Sequence, residues 1–374
     1  MLAGWRIGRV AGIDIAIHPS WLIIALLVVW SLAVVQLPEE SRGWSQTQYW
    51  IVASVTALLF FASVLAHELS HAVLARRLGL RVKGITLFIF GGATQIDAEA
   101  ARARDEALIA LAGPLTSLVL GGLLFAGAAV VEQEQARVLF EWLGFINVAL
   151  GVFNLIPGFP MDGGRVLRAI LWRVRGDRLV ATRNAATVGR AFAFLLVIGG
   201  VGLAITTGQL FNGLWLALIG WFLSNAAEAT ATQAGIERSL RGVRVRDVMD
   251  AEPPSVSPNE PVSDLINERL LRGEHRSFLV RHDDGGLAGI VTLDDVRRVP
   301  REERDRRRVT DVMTRYAQLA TVGPDEPVVE ALRMLQEREV AQLPVVVDGG
   351  RTVVGLLTRG GILRTLEARM KLGV

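Results

Sequence analysis

Residues 50–71 read WIVASVTALLFFASVLAHELSH, in which an uncharged run over 50–66 is followed by His67, Glu68 and His71. On an α-helix, positions i and i+4 share a face, so His67 and His71 would present two imidazoles on the same side. Such a pair can hold one zinc ion, with Glu68 beside the water that the metal activates. Burying two histidines in an apolar helix is costly unless something binds them. The stretch therefore predicts a metal site, with a chance match to a short motif as the alternative.

Composition divides the chain of 374 residues into an apolar part and a charged part. Hydrophobic residues make up 51% of the sequence and dominate as far as about Ala227. We expect a polytopic α-helical membrane domain followed by a soluble α/β pair of repeats. The expected boundaries are a membrane domain at 1–227, a linker at 228–242, and repeats at 243–300 and 301–374. There is no cysteine, so disulfides and thiolate metal ligands are excluded.

Charge-free runs long enough to cross a bilayer core of about 30 Å recur through the first part. They predict six transmembrane helices. Four lie at 21–38, 50–78, 107–131 and 142–161, and two form a helical hairpin over 191–227 that divides at 206–209. Arginine clusters after the second and fourth runs predict that both termini are cytoplasmic, in a multi-pass protein of the cell membrane. These clusters are better explained as topology signals than as a nucleic-acid surface, so we expect the lipid bilayer as a partner and no nucleic acid.

Residues 85–96, ITLFIFGGATQI, are too short to span a membrane as a helix. Their β-rich, glycine-broken pattern predicts a membrane-associated β-hairpin, with a plain cytoplasmic connector as the equal alternative. A strand edge beside a metal site could pair with an extended substrate.

A third metal ligand is needed, because catalytic zinc commonly keeps three protein ligands and one open position. Without cysteine it must be His, Asp or Glu, and intramembrane carboxylates are usually functional. Asp162 ends the fourth uncharged run, so it is the candidate; the alternative is a cap for the arginine-rich helix that follows. Asn154 in the same run either donates to an oxyanion or makes an interhelical hydrogen bond.

Together these motifs resemble the site-2 protease family of intramembrane zinc metalloproteases. The resemblance rests on HExxH at 67–71, Phe90-Gly91-Gly92, Ala112-Gly113-Pro114 and the Asn-x-x-Pro-x-x-x-x-Asp-Gly pattern from Asn154, which occur in the family's order over residues 1–227. It implies one Zn²⁺ per chain, held by His67, His71 and Asp162, with Glu68 as general acid and base. It also implies that Asn154 contacts substrate or oxyanion, and that a hairpin at Phe90, Gly91 and Gly92 presents the substrate as a strand.

The soluble part contains an internal repeat. Asp247-Val248-Met249 recurs as Asp311-Val312-Met313, and Gly289-Ile290-Val291-Thr292 recurs as Gly355-Leu356-Leu357-Thr358. These segments resemble a tandem pair of CBS domains. The resemblance implies an adenine nucleotide contacted by Thr292, Asp295 and Thr358, although Gly361 stands where the second aspartate would be. A purely structural or homodimerising pair is the open alternative.

The function implied by the two resemblances is zinc-dependent intramembrane proteolysis, with nucleotide regulation through the CBS pair. The substrate would be a membrane-anchored protein: an anti-sigma factor, a transcription-factor precursor or a signal-peptide remnant. The competing hypothesis is a CBS-regulated transporter or channel, since intramembrane His and Asp also suit ion pathways. A transport path does not require HExxH with Asp-Gly, which favours the protease.

Overall fold

The computed structural model describes residues 4–89, 91–96, 100–273, 275–282, 285–348 and 352–372. The chain divides into two compact units, Met1–Ala234 and Gly235–Val374. Each unit has hydrophobic clusters of its own, because the apolar residues of the first unit lie on long helices and those of the second on short strands and helices.

The first unit contains a four-stranded sheet and seven helices in its described residues. The strands are β1 (Trp5–Val10), β2 (Ile13–Ile17), β3 (Val82–Phe88) and β4 (Gly91–Ile96). The helices are α1 (Ser20–Glu40, with a π-helical turn at Leu32–Gln36), α2 (Gln46–Arg77), α3 (Ala103–Val130), α4 (Glu134–Asn154), α5 (Asp162–Arg175), α6 (Arg178–Thr207) and α7 (Leu210–Ser239). All of these helices except α5 are long and apolar enough to cross a membrane, which confirms the six predicted spans.

Local sequence signals set the ends of α2, the helix that carries HExxH. It begins with a capping box, in which Ser45 Oγ accepts from the amide of Gln48 and the Gln48 side chain accepts from the amide of Ser45. It ends just before Gly79, whose positive φ of 86° lets the chain turn without a side-chain clash. The face of α2 that carries His67 and His71 is buried, with Ala72 and Ala75 on the same side.

The predicted hairpin forms, and it belongs to a larger sheet. The strand order is β1-β2-β3-β4, so β4 is an outer strand. Strand β2 runs parallel to β3, whereas β1–β2 and β3–β4 are antiparallel hairpins. Strand β2 matches the period-two pattern of residues 12–18, but its pairing with a hairpin about 70 residues later could not be inferred from that pattern.

The segment between α4 and α5 places Asp162 at a helix start. Helix α4 ends at Asn154, earlier than the uncharged run ends, because the prolines and glycines that follow break it. Gly163 and Gly164 then pack against the backbone of residues 155–159, where a Cβ would overlap main-chain atoms. The Asp-Gly-Gly sequence thus allows α5 to begin directly against the preceding loop.

The described residues of the second unit form two small sheets. Its strands are β5 (Ser255–Val256), β6 (Ser277–Arg281), β7 (Leu287–Thr292), β8 (Thr314–Arg315), β9 (Gln342–Val347) and β10 (Thr352–Thr358). Its helices are α8 (Val262–Asp264, continued by a π-helical segment at Leu265–Leu270), α9 (Leu293–Arg297), α10 (Val309–Val312), α11 (Val328–Glu337) and α12 (Arg359–Leu372). Residues 228–239 of the expected linker are helical, within α7.

The two sequence repeats exchange segments. Val245, Val248 and Met249 pack in a cluster with Leu343 and Leu357 of the second repeat. Residues 309–313 pack reciprocally with buried residues of the first repeat, and β8 pairs with β7. The valine and methionine of each Asp-Val-Met segment therefore pack against the core of the other repeat, which sequence order did not predict.

Candidate metal centre and catalytic cavity

The structure brings three of the predicted residues together. Nε2 of His67 lies 3.2 Å from Oδ2 of Asp162, and Nε2 of His71 lies 3.1 Å from the same oxygen. Their candidate ligand atoms all lie within 4.8 Å of one another. Both histidines are 4% exposed. Two imidazole nitrogens and a carboxylate oxygen are donors that zinc takes, so this set fits a zinc ion with one position open.

The outer nitrogens of both imidazoles have partners on α3. His71 Nδ1 lies 2.6 Å from the carbonyl oxygen of Ile109, which can only accept, so this nitrogen carries a proton. When the ring is neutral, its Nε2 lone pair is then available to a metal. His67 Nδ1 lies 2.9 Å from Ser117 Oγ. Partners of this kind fix the ring orientation of metal-ligating histidines.

Gly113 on α3 leaves room for the two rings. A Cβ at this position would overlap Nε2 of both His67 and His71. The glycine of Ala112-Gly113-Pro114 therefore permits α3 to approach the histidine face of α2. Small residues of this kind permit close helix packing, but the sequence did not show that the packed partners would be the imidazoles.

The charge state of Asp162 also suits a metal ligand. Burial opposes ionisation of this carboxyl, but the imidazoles of His67 and His71 favour the carboxylate more strongly, so its pKa lies well below the usual range. An ionised carboxylate is the form that binds a metal.

Glu68 faces the outer strand of the sheet. Thr94 on β4 donates from its hydroxyl to Glu68 Oε2 at 2.7 Å. A Cβ at Gly92 would overlap the Glu68 side chain, so the second glycine of Gly91-Gly92 makes space for it. The strand that was expected to present substrate thus also orients the predicted general base. The sequence pattern gave no signal for the Thr94 contact.

One cavity of about 580 Å³ contains this constellation. It is lined by His67, Glu68, His71 and Asp162, by β4, and by parts of α4 and α7. Asn154 and Arg165 also line it. The Asn154 amide donates to the Leu150 carbonyl of its own helix at 3.0 Å, and its roles toward an oxyanion or another helix stay predictions.

A buried ion pair joins the two helices that flank the histidines. Arg168 on α5 pairs with Glu106 on α3, and their side chains are 11% and 3% exposed. Glu106 lies one turn before Ile109, and Arg168 follows Asp162 on α5. The pair therefore connects α3, whose Ile109 carbonyl accepts from His71, to α5, which carries Asp162. Sequence reasoning missed it, because both residues stand among many other charges.

The remaining predicted residues lie elsewhere. Phe90 is outside the described residues. Thr292 and Asp295 cap α9 reciprocally, with the Thr292 hydroxyl donating to Asp295 Oδ2 at 2.6 Å. Thr358 Oγ1 accepts from the amide of Gly361 at 3.0 Å. These side chains thus have local capping roles, and nucleotide contact by them stays a prediction.

Residues 55–134 and 128–198 match Peptidase family M50, and residues 245–302 and 309–368 match the CBS domain. The protein named zinc metalloprotease Rip3 from Mycobacterium tuberculosis is 37% identical over 366 residues, which cover 96% of this chain and 92% of Rip3. This chain belongs to peptidase family M50. An M50 relative from Synechocystis, named zinc metalloprotease sll0528, is 34% identical over 97% of this chain and 95% of its own length.

Among solved structures, the site-2 protease from Methanocaldococcus jannaschii matches 61% of this M50 chain and 95% of its own, at 29% identity and a TM-score of 0.44. The chain is an intramembrane metalloprotease of the M50 family with a tandem CBS pair, and it is a multi-pass membrane protein. The whole-length relatives are named metalloproteases, so the transporter hypothesis has no support.

Proposed function

We propose that this M50 protein is a zinc-dependent endopeptidase that holds one Zn²⁺ through His67, His71 and Asp162. The observation that carries the proposal is the convergence of these three donors beside Glu68 in one cavity of the membrane unit. A zinc ion held there would supply Lewis-acid activation of water and of the scissile carbonyl.

Glu68 is proposed to move the protons of the reaction. In hydrolysis, an oxygen from water bonds to the carbonyl carbon and the carbon–nitrogen bond breaks. Glu68 takes a proton from the water and passes it to the leaving nitrogen. Thr94 keeps the carboxylate in place through its hydrogen bond to Oε2. One amide N–H of Asn154 bonds to the Leu150 carbonyl, and its second N–H is proposed to donate to the oxyanion.

Strand β4 is proposed to receive the substrate in extended form. Its outer position in the sheet and its place along the cavity support this role. A transmembrane helix must unwind before a peptide carbonyl is accessible, and main-chain pairing with β4 would offset the lost hydrogen bonds. Gly92 leaves the strand without a side chain at the position next to Glu68.

The decisive experiment compares the parent protein with Glu68→Gln and His67→Ala. We expect the parent to contain one zinc per chain after dialysis and to release fragments of a transmembrane substrate. The Glu68→Gln protein should retain zinc and lose cleavage, and the His67→Ala protein should lose both. Full cleavage by Glu68→Gln would contradict the proposed role.

The proposed substrates are membrane-anchored proteins, such as an anti-sigma factor, a transcription-factor precursor or a signal-peptide remnant. The proposed topology places both termini in the cytoplasm, because arginines cluster at 165–190 after the fourth predicted span. Proteomics of membrane fragments from cells that carry the parent or the Glu68→Gln protein would identify the substrates.

The CBS pair is proposed to regulate the protease by binding an adenine nucleotide or by forming a homodimer. The match of both repeats to the CBS domain and the Thr-x-x-Asp pattern at 292–295 support this proposal. If AMP and ATP change neither thermal stability nor cleavage rate, the nucleotide role should be dropped, and sedimentation would then test the dimer.

A further inference from the structure

Arg165 is a cation of the catalytic cavity that the proposed chemistry does not use. It lies one turn after Asp162 on α5, on the same side of the helix, and it lines the cavity with Glu68 and the two histidines. Across the ranges that the structure describes, its guanidinium has no ion pair and no hydrogen-bond acceptor.

The contrast with Arg168 is informative. Arg168 follows one turn later on α5 and is neutralised by the buried carboxylate of Glu106. Arg165 has no such partner among the described residues, although it lies in a cavity at the membrane unit's metal centre. Arg165 is half-buried, and a partly desolvated guanidinium pairs more strongly with an anion than a fully exposed one does. The missing partner would therefore be supplied by whatever enters the cavity.

Hydrolysis creates a suitable partner. A peptide bond is neutral, but its cleavage leaves a carboxylate on the amino-terminal fragment, and the planar guanidinium matches two carboxylate oxygens. We propose that Arg165 binds the carboxylate that cleavage creates, and that the site therefore retains the amino-terminal product. This inference rests on the proposed function, since it requires peptide hydrolysis in this cavity.

The test uses zinc-loaded Glu68→Gln protein in detergent, so that no probe is cleaved. The probes are acetyl-Ala-Leu-Ala-Leu with a free carboxylate and the same peptide as its carboxamide, and calorimetry gives the two affinities. We expect the acid to bind about tenfold more tightly, which corresponds to about 1.4 kcal/mol. Arg165→Gln should abolish most of this preference. Arg165→Lys should keep part of it, because lysine keeps the positive charge but lacks the planar group that makes two parallel hydrogen bonds to a carboxylate.

Arg173→Gln is the matched control, because it removes an exposed arginine from the same helix away from the cavity. It should leave the preference unchanged. A third probe, acetyl-Ala-Leu-Asp-Leu carboxamide, tests whether Arg165 instead binds an acidic side chain.

Three results would overturn the assignment: an acid preference that persists in Arg165→Gln, no preference in the parent background, or a loss confined to the aspartate probe. Absence of binding by both tetrapeptides also counts against it. Zinc content and cleavage by the protein with Glu68 intact are measured separately. Their failure would contradict the proposed function, whereas an Arg165-independent preference in a zinc-loaded, active protein would contradict this inference alone.

Discussion

Glu68 is oriented by a hydroxyl from the strand rather than from its own helix. Removing that hydroxyl in Thr94→Val keeps the shape of the side chain but loses a hydrogen bond to a charged group, which is worth about 1.5–3 kcal/mol. We expect kcat to fall about tenfold or more. Zinc content should be unchanged, because among the described residues the Thr94 hydroxyl bonds to Glu68 and to none of the candidate ligands. Steady-state cleavage of a transmembrane substrate measures this. Thr94→Ser should retain most activity, and an unchanged kcat in Thr94→Val would remove the orienting role.

Ser117 supports His67 in a comparable way. Ser117→Ala should lower zinc affinity about 10–100-fold, the range found when partners of metal-ligating histidines are lost. Competition with a chelator measures the affinity. Thr116→Val is the matched control, since the Thr116 hydroxyl bonds only to the Ala112 carbonyl of its own helix in the described contacts. Equal zinc affinity in the parent and Ser117→Ala proteins would show that the bond does not matter.

At this scale, sequence predicts residue types better than their partners. The spacing of the two histidines in HExxH is enough to predict that they lie on one helix face, because positions i and i+4 share a face. Asp162 could be selected because a carboxylate at the end of an uncharged run is rare. Thr94 and Ser117 are ordinary polar residues in sequence, and their contacts depend on how a strand and a second helix pack against α2.

The crossing of α2 and α3 depends on one glycine. Gly113→Ala should displace both imidazoles, because its Cβ would overlap their Nε2 atoms. We expect loss of tight zinc binding and a decrease in stability of about 1–3 kcal/mol from overpacking. Gly122→Ala is the control on the same helix, since nothing lies within 4 Å of the added Cβ. Zinc stoichiometry and thermal unfolding in detergent are the measurements, and equal zinc content in both variants would contradict the packing argument.

The Glu106–Arg168 pair should couple α3 to α5. Removing one charge, by Glu106→Met or by Arg168→Met, takes the ion-pair contact from the other buried group, at a cost of about 3–5 kcal/mol. Replacing both residues with methionine should cost less than either single change, because no uncompensated charge remains. A double-mutant cycle of unfolding free energies measures the coupling. Strictly additive single effects would mean that the pair does not link the helices.

Elements were predictable where hydrophobic runs are long. The six spans follow from uncharged stretches whose lengths match a bilayer, and the structure confirms them. The sheet was only half predictable, since a period-two pattern identifies β2 and the β3–β4 hairpin but not their mutual pairing. Contacts between segments far apart in sequence depend on tertiary packing, which periodicity does not contain.

For the whole molecule, the division into two units decides which signal reports the loss of zinc. All nine tryptophans lie at or before Trp221, so their fluorescence reports only on the first unit. Chelation should lower the fluorescence-monitored midpoint, because a ligand at 100 times its Kd contributes about 2.7 kcal/mol. A chelator that leaves the tryptophan transition unchanged would contradict the zinc site in the first unit.

The exchange of segments between the two repeats has a consequence for synthesis on the ribosome. The cluster that contains Leu240, Val243 and Val245 also needs Leu357 and Ile362. These partners are translated more than a hundred residues later, so the start of the second unit leaves the ribosome before its core can close. A premature stop before β9 would remove Leu343, Leu357 and Ile362 and leave those early apolar side chains uncovered. Quality-control proteases would then act on a chain whose membrane helices are already complete.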